Sequence, residues 1–208
     1  MRRIPLPLLS CLLIWSSVAF ADTAKNTPST LSKPLNVAVY HGLFSDTALG
    51  EIMLSGKTHY RPGYITAATL GSPLEQRIFG LPLEAEGQVV RHSGAQKHLE
   101  FNGLLLVRSE PIEIGLPITF AVAEGLSFAT RNPDLENRRK SFFNMGLESE
   151  YSRNLLNYLT FEMEARVPVD SYEPRAFVRV HHRSGIYGLL CPPTCGSNYM
   201  AYGVRFTY

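Results

Sequence analysis

The chain is short of net charge, of cysteine and of histidine spacings typical of metal sites. Among its 208 residues, charged side chains make up only 18% and the net charge is +2. A nucleic-acid-binding protein needs a basic surface, so nucleic acid is not expected as a partner. No Gly-rich phosphate loop and no internal repeat is present, so no cofactor is expected. Four histidines have no coherent spacing, and no metal site is predicted from them: His41, His59, His92 and His98.

Residues 1–21 have the composition of a secretory signal peptide. Arg2 and Arg3 precede a mostly apolar stretch that ends in Ala19-Phe20-Ala21, a small-x-small cleavage site. Leu8-Leu9-Ser10-Cys11 loosely matches a lipoprotein cleavage box, but the apolar stretch continues past it, which favours cleavage after residue 21. The remaining 187 residues carry 18 basic and 18 acidic side chains, so the net charge falls to zero.

The signal peptide also removes one of the three cysteines. Cys191 and Cys195 remain, within Cys191-Pro192-Pro193-Thr194-Cys195. In an exported protein such a pair predicts a disulfide that closes a small loop. Free thiols and a zinc site are the alternatives, although two thiolates lack the third and fourth ligands that zinc requires.

No apolar segment after residue 21 approaches the roughly 20 residues of a membrane-spanning helix. The C-terminal residues 200–208 instead alternate. Large apolar side chains fall on one face of the predicted strand and small or polar ones on the other, the pattern of a lipid-facing barrel strand. The terminal aromatic, Tyr208, resembles the C-terminal insertion signal of bacterial outer-membrane proteins, which implies the barrel-insertion machinery as a partner.

The same alternation recurs upstream and predicts an all-β fold: an eight-stranded antiparallel transmembrane β-barrel of the outer-membrane type. Its inward charges are expected to pair with one another and fill a narrow lumen. Residues 22–34 are predicted to be a disordered start, and 35–208 to be the barrel. Residues 142–151 also alternate, and are either a strand or a helix within a loop. The predicted strands are 36–44, 63–72, 81–91, 97–108, 116–129, 155–167, 174–184 and 197–208.

An even strand number places both termini on the periplasmic side. The long connections 45–62, 130–154 and 185–196 are then extracellular.

The strand 174–184 carries polar side chains on its lipid face. His182 and Ser184 share the parity of its apolar residues, so they point outward, near the extracellular end. Their Cα atoms should lie roughly 6.5–7 Å apart. A serine activated by a histidine base is an acyl-transfer arrangement, and a third group should hold the histidine. Asn198 has outward parity on the last strand and is the candidate for that role.

An eight-stranded barrel whose penultimate strand ends in His-x-Ser, before a loop and an aromatic-ended strand, resembles the PagL-type lipid A 3-O-deacylases. The detailed resemblance covers 155–208 and implies a serine esterase that acts on lipopolysaccharide from the barrel exterior. His182 and Ser184 occupy the matching positions. Where that family has its acid, this chain has Gly196-Ser197-Asn198, and where the family has Asn-Ala it has Gly185-Ile186. The chain would therefore form a divergent branch.

Two classes of function follow, with a soluble lipid-binding barrel as a distant third. The first is a lipid A acyl-ester hydrolase in the outer membrane of a gram-negative bacterium, with Ser184 as nucleophile, His182 as base and Asn198 as the group that orients the imidazole. A backbone N–H near Gly185 would bind the oxyanion. The second is a non-enzymatic barrel with a structural role, or one whose loops 45–62 and 130–154 bind a partner.

Overall fold

The computed structural model describes residues 33–136, 152–169, 174–186, 189–191 and 195–208. The predicted signal peptide, most of the predicted disordered start and residues 142–151 lie outside these ranges. The helix and strands are β1 (Asn36–Ser45), α1 (Leu49–Ser55), β2 (Tyr60–Ile78), β3 (Leu81–Gly94), β4 (Leu99–Arg108), β5 (Ile112–Ile114), β6 (Leu116–Ala129), β7 (Leu155–Arg166), β8 (Arg175–Ser184) and β9 (Gly196–Thr207).

Eight of the strands form a closed antiparallel barrel. The sheet runs β4-β3-β2-β1-β9-β8-β7-β6, and pairing between β4 and β6 closes it. β5 is a three-residue strand that pairs only with β6, at the edge of the barrel wall. Closure gives each of the eight wall strands a paired neighbour on both sides, so their backbone polar groups are paired within the wall. The predicted fold class is confirmed.

The connections are longer at one end of the barrel. We call this the loop end; it carries the β1–β2, β3–β4, β6–β7 and β8–β9 connections and, among described residues, α1 and a 3-10 turn at Asp134–Glu136. The opposite end holds both ends of the barrel sequence, where Leu35 and Tyr208 exchange two backbone hydrogen bonds of 2.9 Å. The fully described β1–β2 connection at the loop end is longer than the β2–β3 turn at the opposite end, as predicted; the predicted loops 130–154 and 185–196 lie partly outside the described residues.

Three elements differ from the sequence prediction. β2 extends beyond the predicted 63–72 at both ends, because the alternation breaks at Pro73 whereas the structure accommodates a register shift between Pro73 and Arg77. α1 lies within a segment expected to be only loop. Gly56, with a φ of 66°, terminates this helix, and Ile52 is its buried residue. β5 was not predicted, since three residues are too short for a periodicity.

The exterior of the barrel is apolar. On β9, Tyr202 and Val204 point outward and are 58% and 37% exposed, while the neighbouring Arg205 points inward and is fully buried. β4 shows the same alternation, with Phe101 and Leu105 outward and Glu100 inward. An apolar exterior around a charged interior is the architecture of an outer-membrane barrel.

No helix within the described ranges is long and apolar enough to cross a membrane.

The lumen contains the predicted network of paired charges. Arg179 donates to Glu162 at 2.9 Å and to Glu86 at 2.8 Å, and Arg205 donates to Glu162 at 2.7 Å and also to Glu164. None of these five side chains has more than 3% of its surface exposed. Because each buried charge has an opposite partner, the wall strands β3, β7, β8 and β9 are tied together through the lumen.

We expect Glu162→Gln to destabilise the barrel by about 3–5 kcal/mol, because the amide removes one of the two carboxylates that the buried guanidinium groups of Arg179 and Arg205 share. Urea unfolding in detergent micelles measures the change. Glu113→Gln, which alters an exposed carboxylate on β5, is the matched control and should unfold at the wild-type urea concentration. Equal midpoints for the two variants would contradict the structural role of the network.

Val204→Arg should cost roughly 2–4 kcal/mol, because it places a guanidinium on the lipid face near the middle of the membrane. Tyr208→Arg, at the end of the same outward row, should cost about 1 kcal/mol or less, since charge is tolerated near the interface. The yield of folding into lipid vesicles compares the two variants. Wild-type yield for Val204→Arg would mean that this face does not contact lipid.

Candidate active site

A patch of polar residues interrupts the apolar exterior at the loop end. Across β6, β7, β8 and β9, one row of paired residues contains Glu124, Leu159, His182 and Asn198. In the next row, Asn157 of β7 pairs with Ser184 of β8. The structure therefore brings the three predicted site residues together on the outward face. It adds two polar neighbours, Glu124 and Asn157, that the sequence analysis did not single out.

His182 is held by Asn198 on the adjacent strand. The Nδ1 atom of His182 lies 2.5 Å from the Oδ1 atom of Asn198, and the Nδ2 atom of Asn198 donates to the backbone carbonyl of Thr47 at 2.6 Å. A carbonyl can only accept, so the amide must direct its NH2 group to Thr47 and its oxygen to His182. His182 then carries its proton on Nδ1, which leaves Nε2 as the acceptor.

The Thr47 carbonyl belongs to a loop that is anchored beside the site. The Asp46 carboxylate accepts from His59 Nδ1 at 2.8 Å and from Arg61. Partial burial acts to raise the pKa of Asp46, but the hydrogen bonds and positive charges of Arg61 and His59 outweigh it and lower that pKa. The carboxylate stays ionised at neutral pH and fixes the loop on which the orientation of Asn198 depends.

Ser184 ends β8 beside a strained residue. Its hydroxyl oxygen accepts from the backbone N–H of Ile186 at 3.0 Å. Ile186 has a φ of 50°, a conformation that β-branched residues rarely adopt and that costs on the order of 1–3 kcal/mol. Backbone hydrogen bonds from Leu189 to Ile186 and from Leu190 to Gly185, of 3.1 and 2.9 Å, hold this turn in place. Such strain is typical of functional sites.

The predicted disulfide is present and supports the same turn. Cys191 and Cys195 are bonded, with 6.2 Å between their Cα atoms, and both are buried against Leu156. A Cβ atom on Gly185 would collide with the Cys191 sulfur, so only glycine fits between the serine and the disulfide. Gly196, paired with Ser184 on β9, has a φ of 121° and leaves the serine uncovered from that side.

The residues of the outward polar patch line a groove of about 570 Å³ on the barrel exterior. Its polar floor consists of Glu124, Asn157, His182, Ser184 and Asn198. Its apolar side includes Leu159 of β7 and two residues of α1, Leu49 and Met53. Asn157 is only 8% exposed, and its outward parity on β7 is the sequence signal that could have identified it. Glu124 carries the same signal among the outward Phe120, Val122 and Leu126 of β6.

No protein-family model matches the chain, and no curated protein matches it. A solved structure titled "Crystal structure of the outer membrane enzyme PagL" is similar, with a TM-score of 0.47 and 9% sequence identity, covering 82% of this chain and 97% of that chain. The identity and the TM-score are both too low to assign a family or an activity, so the chemistry has to be inferred from the site.

Thiol labelling tests the disulfide. In the unreduced barrel, we expect neither Cys191 nor Cys195 to react with maleimide after unfolding, because both sulfurs are bonded to each other. The same chain, reduced before unfolding, is the positive control and should take up two labels. Mass spectrometry counts the labels. Two labels on the unreduced protein would show that the loop is not closed.

Proposed function

We propose that the chain is an outer-membrane acyl-ester hydrolase that acts on lipid A or lipopolysaccharide from the lipid-facing surface of its barrel. The observation that carries the proposal is the placement of His182, fixed in one tautomer by Asn198, two residues from Ser184 on the outward face. A substrate ester in the membrane can approach this face directly. The partners would be the outer membrane, its lipopolysaccharide and, for insertion, the machinery that recognises the C-terminal strand.

The reaction follows from the positions of these groups. The Oγ atom of Ser184 attacks the ester carbonyl and gives its proton to Nε2 of His182. The imidazolium then protonates the departing alkoxide, which leaves an acyl group on Ser184. Water, deprotonated by the same histidine, attacks the acyl-serine; the bond to Oγ breaks, the imidazolium returns its proton to Oγ, and a fatty acid is released. For the attack to occur, the serine hydroxyl must turn from its position against the Ile186 N–H towards the histidine.

Asn198 replaces the carboxylate of a usual triad. An amide that offers its NH2 group to the histidine enforces the wrong tautomer, and this is a cause of activity loss when a triad acid becomes an amide. Here the Thr47 carbonyl occupies that NH2 group, so the favourable tautomer is kept. The amide does not neutralise the imidazolium, so a lower rate than that of a carboxylate triad is expected. Glu124 is separated from His182 by Leu159 and does not replace the acid.

Two groups are placed to stabilise the oxyanion. One is a backbone N–H near Gly185, as in the sequence-based proposal. The other is the side-chain amide of Asn157, which lies directly across the strand pair from Ser184. Paired Cβ atoms in antiparallel strands are about 4.5–5.5 Å apart, within reach of an amide donor. Loss of one oxyanion donor typically lowers kcat by about 100- to 1,000-fold.

Ser184→Ala and His182→Ala should each abolish deacylation, because they remove the nucleophile and its base, while the barrel remains folded. Asn198→Ala should reduce the rate partially. His41→Ala is the matched control: this histidine is also on the outward face, between Tyr64 and Tyr202, and should retain full activity. Mass spectrometry of lipid A incubated with each variant in mixed micelles measures the loss of an acyl chain.

His181→Ala gives a second comparison, because His181 points into the lumen and is fully buried. The substitution should lower the stability of the barrel more than the rate of the catalytic step. Full activity in Ser184→Ala would exclude a mechanism in which Ser184 is the nucleophile. Absence of deacylation by the wild-type barrel would contradict the proposed function and favour the non-enzymatic alternative.

A further inference from the structure

A second polar cluster lies inside the lumen, close to the loop end. His92 comes from β3, Glu100 from β4, and His98 immediately precedes β4, so a single hairpin supplies the set His-x5-His-x-Glu. Their exposed fractions are 2%, 0% and 8%. One nitrogen or oxygen atom of each lies within 4.8 Å of the other two. The sequence pattern does not reveal these three residues as a group, because the hairpin turn, and not a short regular spacing, brings them together.

The cluster concentrates buried polar atoms that have no hydrogen-bond partner. These atoms are both ring nitrogens of His98, the Oε1 atom of Glu100 and the Nε2 atom of His181 on β8. The last two atoms are 2.9 Å apart, but they are not aligned as a hydrogen bond. Buried polar groups are nearly always satisfied, so the two unpaired ring nitrogens of His98 beside the Glu100 carboxylate are available to a ligand.

The surrounding charges leave the Glu100 carboxylate available. His92 contacts its Oε2 atom at 2.7 Å. Beyond the two histidines, Arg183 Nε lies 3.9 Å from Oε2, but this guanidinium is already paired with Glu136 at 2.5 Å and donates to Ser127 at 2.8 Å. The positive charge of Arg183 is thus neutralised from the loop end, and a metal ion at Glu100 Oε1 would take the place of a proton between that oxygen and His181 Nε2.

We propose that His92, His98 and Glu100 bind a divalent transition-metal ion of the Zn²⁺ type, with His181 supplying a fourth ligand. Two or more imidazoles with one carboxylate suit Zn²⁺ better than Ca²⁺ or Mg²⁺, which prefer oxygen ligands. The His98 ring now stacks on His92, with centroids 3.9 Å apart, and turns out of this stack when it binds the ion. Four protein ligands leave no open position, so the site is structural rather than catalytic.

This site is independent of the proposed esterase. His181 and His182 are neighbours on β8 but point to opposite faces of the wall, so the metal lies in the lumen and the ester outside it. A bound ion would tie the β3–β4 hairpin to β8 across the lumen. Because all its ligands are buried, exchange through the folded barrel should be slow, and the metal should enter during folding.

The test uses the full barrel, refolded in detergent without a histidine tag, in the presence of either Zn²⁺ or EDTA and then desalted. We expect about one zinc per chain by elemental mass spectrometry. Refolding with Co²⁺ should give the intense visible absorption of a four-coordinate ion. Zn²⁺ should also raise the temperature at which the barrel unfolds. His98→Phe, which keeps a ring in place, and Glu100→Gln, which keeps the shape, should each weaken binding by at least tenfold.

His59→Phe is the control for adventitious binding, because His59 and Asp46 form an exposed pair that could hold zinc weakly. It should leave the metal content unchanged. The proposal is overturned if the wild-type barrel retains no zinc, if its Co²⁺ spectrum is that of a six-coordinate ion, or if only His59→Phe removes the metal. The spectrum of the wild-type barrel decides the question even if a lumen variant fails to fold.

Discussion

The pairing of charges inside the lumen is the interaction on which the rest of this barrel depends. Arg179 and Arg205 come from β8 and β9, and the carboxylates that they share come from β3 and β7. Each of these charges would be costly to bury alone. Once paired, they fix which face of β3, β7, β8 and β9 points inward. Since side chains alternate along a strand, the opposite face is then committed to the exterior.

The position of the outward polar patch follows from this orientation of the strand faces. His182 and Ser184 sit on the exterior because Arg179, His181 and Arg183 of the same strand are required in the lumen. A buried base and nucleophile would meet no lipid, whereas these two face the membrane near the loop end. The loops then complete the site, since Thr47 orients Asn198 and the disulfide supports the turn after Ser184.

Much of the fold and part of the site could be predicted, because both depend on whether a residue occupies an odd or an even position in its strand. That position decides whether its side chain points into the lumen or outward. The strands β6 and β8 match their predicted bounds closely, and the inward or outward side of His181, His182 and Arg205 is correct. Glu124 and Asn157 were missed because their closeness to the histidine and serine depends on the register between strands. Local alternation excludes odd register shifts but cannot distinguish even ones, which depend on turn geometry and on the charges paired across the lumen.

The period-two pattern, the apolar exterior, the charged interior and the candidate serine and histidine can all be read from the chain alone, because these are properties of single strands. Which residues meet across strands depends on the folded barrel. It placed Asn198 against His182 with the Thr47 carbonyl fixing its amide, and it brought Glu136 over Arg183 at the loop end. Such contacts join residues far apart in the chain, and only closure of the barrel brings them within hydrogen-bonding distance.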